Sequence, residues 1–177
     1  MKRIIRFSPL LFFSLLLISC GPSKKVIPGK ESLGAPEVKI NTSPNLEPED
    51  NRAYTIIEKA KDFLGTDYKY GGTTKRGMDC SGLIYISFME EGVSLPRISR
   101  NMALEGRRLH LKEVSKGDLL FFETNKNRKV INHVGLVVEV LPEHILFIHS
   151  SSSRGVMISS LSESYWYNNF VMARRVL

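Results

Sequence analysis

Beyond residue 50 the chain changes texture at Lys116-Gly117, and this change limits the fold more than any other feature of its 177 residues. Before it, apolar residues recur at helical spacing. Ala53, Ile56, Ile57, Ala60, Phe63 and Leu64 predict a first helix that stops at Gly65. The stretch Cys80 to Glu90 has Leu83, Ile84, Tyr85, Ile86, Phe88 and Met89 on most faces, so this second helix should be largely buried, with Gly92 ending it. A shorter polar helix is expected from Ser99, as its cap, to Leu109. After Gly117 come five short runs rich in β-branched and aromatic residues: Asp118 to Phe122, His133 to Val140, Ile145 to His149, Val156 to Leu161 and Val171 to Val176. Strands that follow a helical half predict an α+β domain, an antiparallel, barrel-like sheet of five to six strands packed against the helix that bears Cys80.

The N-terminus has a different texture. Lys2, Arg3 and Arg6 precede an apolar run from Pro9 to Ile18 that closes in Leu17-Ile18-Ser19-Cys20. This reads as a signal peptide over residues 1–19, too short for a spanning helix. A small residue directly before a cysteine resembles the lipobox of bacterial lipoproteins, which implies that Cys20 becomes a lipidated first residue and that the membrane is a partner through it. Gly21 stands where an aspartate would resemble an inner-membrane retention signal, so the expected location is the outer membrane, facing the periplasm. Residues 20–50 hold Pro22, Pro28, Pro36, Pro44 and Pro48 without a sustained apolar period and read as a tether. Such a segment would span roughly 90 Å extended and about 30 Å as a coil.

The formal net charge of +7 falls to +4 once residues 1–19 are removed. That is an ordinary surface, and no Lys/Arg cluster interleaves with aromatics, so nucleic acid is not an expected partner. Residues 51–177 suffice for one domain with its own core, read here as a monomer.

With Cys20 assigned to the lipid, Cys80 has no partner for a disulfide. A free cysteine is often a small buried core residue. Here, however, a Gly-rich stretch leads into Gly77-Met78-Asp79-Cys80-Ser81-Gly82 and a helical pattern follows, placing the sulfur near a helix N-terminus where the macrodipole favours a thiolate. A thiol nucleophile needs a base, and the base needs an orienting group. His133 begins one strand and His149 ends the next, and a hairpin turning at Leu141-Pro142-Glu143 would make the two imidazoles neighbours. His110 and His144 lack that coincidence and read as surface residues. No carboxylate or thiol stands with the histidines at zinc spacing, so neither a metal nor another cofactor is expected.

These elements, in this order, resemble the NlpC-type cell-wall cysteine peptidases, a papain-like family, and within it the Spr-type murein endopeptidase lipoproteins. The resemblance rests on Tyr68-Lys69-Tyr70-Gly71-Gly72, Asp79-Cys80-Ser81-Gly82, Leu95-Pro96-Arg97, Gly117-Asp118-Leu119-Leu120-Phe121-Phe122, His133-Val134-Gly135, Phe147-Ile148-His149, Tyr165-Trp166 and Ala173-Arg174-Arg175-Val176. It implies Cys80 as nucleophile, His133 as general base and His149 as the group that orients it. Tyr68 is similar to a family tyrosine that helps hold the oxyanion, while Asp79 and Ser81 flank the nucleophile as substrate contacts, Asp79 alternatively stabilising the helix start. The implied substrate is peptidoglycan, and the implied reaction is hydrolysis of stem-peptide bonds, of D-alanyl to diaminopimelyl crosslinks in particular. Cleavage of γ-D-glutamyl to diaminopimelyl bonds, amidase or acyltransferase chemistry on a small substrate, and a murein-binding scaffold without activity are the alternatives.

Overall fold

The structure, a computed structural model, describes residues 51–177. The expected signal peptide, the lipid site at Cys20 and the tether lie outside the described residues. Helix α1 (Arg52–Lys61) buries Ile56, Ile57 and Ala60, and its last turn carries Lys59 and Lys61, the charge that suits a helix C-terminus. Tight turns through Phe63 and Leu64 then lead to Gly65. A two-residue hairpin, β1 (Thr73–Thr74) and β2 (Gly77–Met78), delivers the chain to helix α2 (Cys80–Met89), which buries residues all round, as its apolar composition requires.

The helix expected from Ser99 to Leu109 is a single turn, α3 (Ser99–Met102), and its N-cap is Ile98 rather than Ser99. The chain turns at Gly106, whose φ of 63° and 2.0 Å gap between a built Cβ and the Arg175 carbonyl oxygen admit no side chain. Residues Arg107–Leu109 then form strand β3, which sequence reading took for helix because it is short and two-thirds charged. Beyond it lie β4 (Leu119–Phe122), β5 (His133–Leu141), β6 (His144–Ser151), β7 (Gly155–Ser160), a short helix α4 (Ser164–Asn169) that was not expected, and β8 (Phe170–Arg175).

Six strands make one antiparallel sheet in the order β3-β8-β4-β5-β6-β7, with β3 and β7 at its edges. Strand β4 explains the layering, since all four residues of Leu119-Leu120-Phe121-Phe122 are buried, as happens only when both faces are covered. Leu119 and Phe121 point into a core shared with α1 and α2, where Ile56, Leu83, Ile84 and Phe88 lie. Leu120 and Phe122 point the other way, into a second core with Val137, Phe147 and Trp166 of α4. An ion pair ties β8 to β4: Arg175 Nε and Nη2 donate to the Asp118 carboxylate at 2.8 Å each, and the Asp118 side chain is 2% exposed. Among the described residues no helix is long and apolar enough to cross a membrane.

Candidate active site

Asp79 caps α2 and thereby sets the position of Cys80. Its Oδ1 accepts from the Gly82 N–H at 2.6 Å and its Oδ2 from the Gly71 N–H at 2.7 Å. Arg97 clamps the same carboxylate with Nη1 at 2.8 Å and Nη2 at 2.9 Å, and Nη1 also reaches Ser81 Oγ at 2.8 Å. Gly82 is required here, because a built Cβ would meet the Gly72 carbonyl oxygen at 2.2 Å. Burial works to raise the Asp79 pKa, but Arg97 and the N–H groups of Gly82 and Gly71 outweigh it and hold the carboxyl below its ordinary range. Asp79 and Ser81, expected as substrate contacts, thus have their polar atoms engaged with Arg97. Nothing local in Leu95-Pro96-Arg97 specifies a partner for the arginine, because Asp79 belongs to a different element.

Cys80 itself is 8% exposed, and its Sγ lies 4.0 Å from the Asn132 carbonyl oxygen, an S–H donor geometry. Burial pushes the thiol up to about 11, Asp79 adds to that, and the N–H groups of Val134, Ser81 and Cys80 pull the other way. Desolvation thus works against the thiolate that the helix start favours. Tyr68 borders the same space. Burial first, then Cys80 and Asp79, raise its phenol, which stays a proton donor.

The histidines come from the opposite face of the sheet. His133 pairs with Phe122 at the start of β5, and β5 pairs with β6 through a two-residue turn in which Leu141 opposes His144. This register sets His149 diagonally across from His133 on the same face, with His133 Nε2 and His149 Nδ1 3.0 Å apart. On its far side His149 Nε2 meets Ser159 Oγ of β7 at 3.1 Å. Trp166 closes the pair off. Its ring stacks on His133 with centroids 5.2 Å apart and planes at 23°, and presents an edge to His149 at 4.5 Å. Burial pulls His133 down to about 4 and His149, with help from the charges of His133 and Arg154, down to about 3. Both rings are neutral at pH 7. Ser159 and the enclosing role of Trp166 were not found from sequence.

The two halves meet at the strand ends. One cavity of about 490 Å³ is lined by Tyr68, Cys80, His133 and Trp166, together with Arg154 of the β6–β7 turn. A second, of about 470 Å³, is lined by Tyr68, Cys80, Asp79, Arg97 and Ile98. Tyr68, Cys80 and Asn132 border both, so the sulfur sits between two open recesses. His110 and His144 lie on the surface away from it, His144 Nδ1 3.0 Å from Ser162 Oγ. Among the described residues no group of three or more His, Cys, Asp or Glu is placed to hold a metal ion.

Residues 65–175, which carry every part of this site, match the NlpC/P60 family. The chain belongs to that family. Its NlpC/P60 domain is the α+β fold of a Cys-bearing helix on an antiparallel sheet described above. Among curated relatives, the chain is 36% identical over 177 residues to the probable endopeptidase NlpC of Escherichia coli (strain K12), covering 97% of this chain and 100% of that one. It is 30% identical to the Murein DD-endopeptidase MepS/Murein LD-carboxypeptidase of the same organism, over 100% of this chain and 95% of that one. Among solved structures, an NlpC/P60 family protein from Bacillus cereus superposes with a TM-score of 0.64 at 30% identity, covering 71% of this chain but only 40% of that longer one.

Proposed function

We propose that this NlpC/P60 protein is a peptidoglycan endopeptidase that hydrolyses stem-peptide bonds with Cys80 as nucleophile, His133 as general base and His149 as the group orienting it. The observation that carries the reading is the position of Cys80 between two recesses, which lets a peptide run past the sulfur in both directions, as an internal cut in a crosslinked polymer requires. A small-substrate amidase would need only one of them.

The chemistry follows from the resting protonation states. The Cys80 S–H gives its proton to His133 Nδ1, the nitrogen left over by the His149 contact, as the sulfur bonds to the carbonyl carbon. The C–N bond breaks as His133 passes the proton to the leaving amine, leaving a thioester. Water then adds to the thioester, His133 takes its proton and returns it to the departing sulfur, and the acid and the free thiol result. The Tyr68 hydroxyl, with the N–H groups at the start of α2, would hold the oxyanion, one such donor being worth about 10²–10³ in rate.

The D-alanyl to diaminopimelyl crosslink is the bond this reading favours, because the relative named a DD-endopeptidase aligns over the whole of this chain. Residues 1–19 act as the signal, Cys20 carries the lipid, and residues 20–50 tether a monomeric domain of residues 51–177 to the outer membrane on its periplasmic side. An anchored enzyme fits an immobile sacculus better than small soluble fragments. Digestion of crosslinked dimeric muropeptides, followed by chromatography, tests the bond. Monomers support the D,D assignment, whereas intact dimers with shortened stems would replace it with γ-D-glutamyl cleavage. Cys20→Ala should release the protein from the membrane fraction or block its processing, and unchanged detergent dependence would remove the anchor from the account.

A further inference from the structure

Strand β7 inverts the ordinary rule of burial: Ile158 is 37% exposed while its neighbour Ser159 is 3% exposed. Ile158 shares its face with the buried Val156 but lies on the edge strand, whereas Ser159 is buried on the opposite face, where its hydroxyl needs a partner. The position supplies one, since Ser159 Oγ lies 3.1 Å from His149 Nε2, and His149 Nδ1 lies 3.0 Å from His133 Nε2.

We propose that Ser159 is a positioning residue for hydrolysis: its hydroxyl accepts the His149 Nε2–H and so fixes the direction of the hydrogen-bond chain that ends at His133, which lines the same cavity as the Cys80 thiol. The inference rests on the reading of Cys80 and His133 as nucleophile and base. Two directions are compatible with the heavy-atom positions. In the first, His149 Nε2–H donates to Ser159 and His133 Nε2–H donates to His149 Nδ1, which leaves a lone pair on His133 Nδ1 for the thiol proton. In the second, Ser159 donates to His149 Nε2, His149 Nδ1–H donates to His133 Nε2, and His133 carries its proton on Nδ1. That ring cannot act as a base toward Cys80. Only the first direction is productive, and it needs an acceptor at position 159.

Neither ring escapes the choice by rotating, because Trp166 stacks on His133 and sets its edge against His149. With an alanine at 159 the productive arrangement would leave a buried N–H without a partner, whereas the unproductive one leaves only an acceptor unpaired, which proteins tolerate better. Removing the hydroxyl should therefore tilt the pair toward the wrong tautomer without touching the substrate.

The test compares Ser159→Ala, Ser159→Thr and Ser159→Val in the full chain on crosslinked muropeptides, with thermal unfolding to verify folding. Ser159→Ala should lower kcat about tenfold or more with KM unchanged, the effect of one unsatisfied buried donor. Threonine and valine share a shape and differ by the hydroxyl, so threonine should exceed valine by a similar factor. Ring-nitrogen NMR shifts give a readout independent of turnover. Both histidines should carry Nε2–H in the wild type and in Ser159→Thr, and a population with Nδ1–H should appear in Ser159→Ala. Wild-type kcat in Ser159→Ala, equal rates for threonine and valine, or unchanged tautomers in Ser159→Ala would each overturn the proposal. Loss of the nucleophile assignment would show instead as turnover retained by Cys80→Ser, with the tautomer result unaffected.

Discussion

The two halves of the cleft are built on opposite electrostatic plans. Around the start of α2 the groups are permanently charged: Asp79 is ionised, clamped by Arg97 and fed by two backbone N–H groups, and part of this network faces solvent. Across the cleft, His133 and His149 are ionisable groups kept neutral by burial against the aromatic rings of Phe122, Phe147 and Trp166. The first half gives the nucleophile a fixed place, and the second keeps a base from being protonated. A charge held by hydrogen bonds tolerates water nearby, whereas the neutrality of the imidazole pair depends on its burial.

This contrast can be broken one half at a time. The largest effect is expected at the reacting groups, where Cys80→Ser and His133→Ala should each lower kcat by at least about 10³-fold, while His149→Ala leaves a measurable remainder and all three fold. Rates from purified variants on crosslinked muropeptides check this. Trp166→Ala comes next, removing the buried indole for about 3–5 kcal/mol of stability by denaturant unfolding. It should also move the acid limb of kcat/KM upward from about 4 toward the ordinary histidine value of 6.5. On the charged side, Arg97→Gln should cost about 2–3 kcal/mol by stranding a buried carboxylate, less than for a fully buried pair because Arg97 is partly exposed. Replacing Asp79 by Asn in that background should recover part of the loss.

A separate effect is a tilt of stability with pH. Both histidines have folded pKa values below the unfolded 6.5, so between pH 6.5 and about 4 the unfolded chain binds protons that the folded one does not. Their stabilisation is fully present above pH 6.5 and is lost on acidification through that window. Asp79, also depressed, retains its contribution there and loses it only below the ordinary carboxylate range. Thermal unfolding against pH should show the slope, and His149→Asn should flatten it.

Much of the charged half was legible in the sequence. Asp79-Cys80-Ser81-Gly82 after a Gly-rich turn announces a helix start, and the run Asp118 to Phe122 announces a strand. The matching strand ends placed His133 beside His149, because hairpin pairing follows from turn position alone. What sequence reasoning missed depends on contacts between distant segments. Strand β3 exists because Arg107, Arg108 and Leu109 pair with β8, which no local pattern in three residues reveals. Ser159 was hidden because its burial depends on the second core on the far face of the sheet, where it lies opposite Phe147 and beside His149. The thiolate expectation drew on helix position, which is local, whereas the opposing desolvation is set by the whole core around Cys80.

The central claim is that the resting site holds a protonated thiol beside a neutral base. The difference in ultraviolet thiolate absorbance between the wild type and Cys80→Ser, titrated with pH, isolates Cys80 from Cys20 and the tyrosines. A signal absent at neutral pH and rising only toward the thiol value of about 11 is the predicted result. A thiolate signal already present at neutral pH would show a preformed thiolate–imidazolium pair and contradict the account.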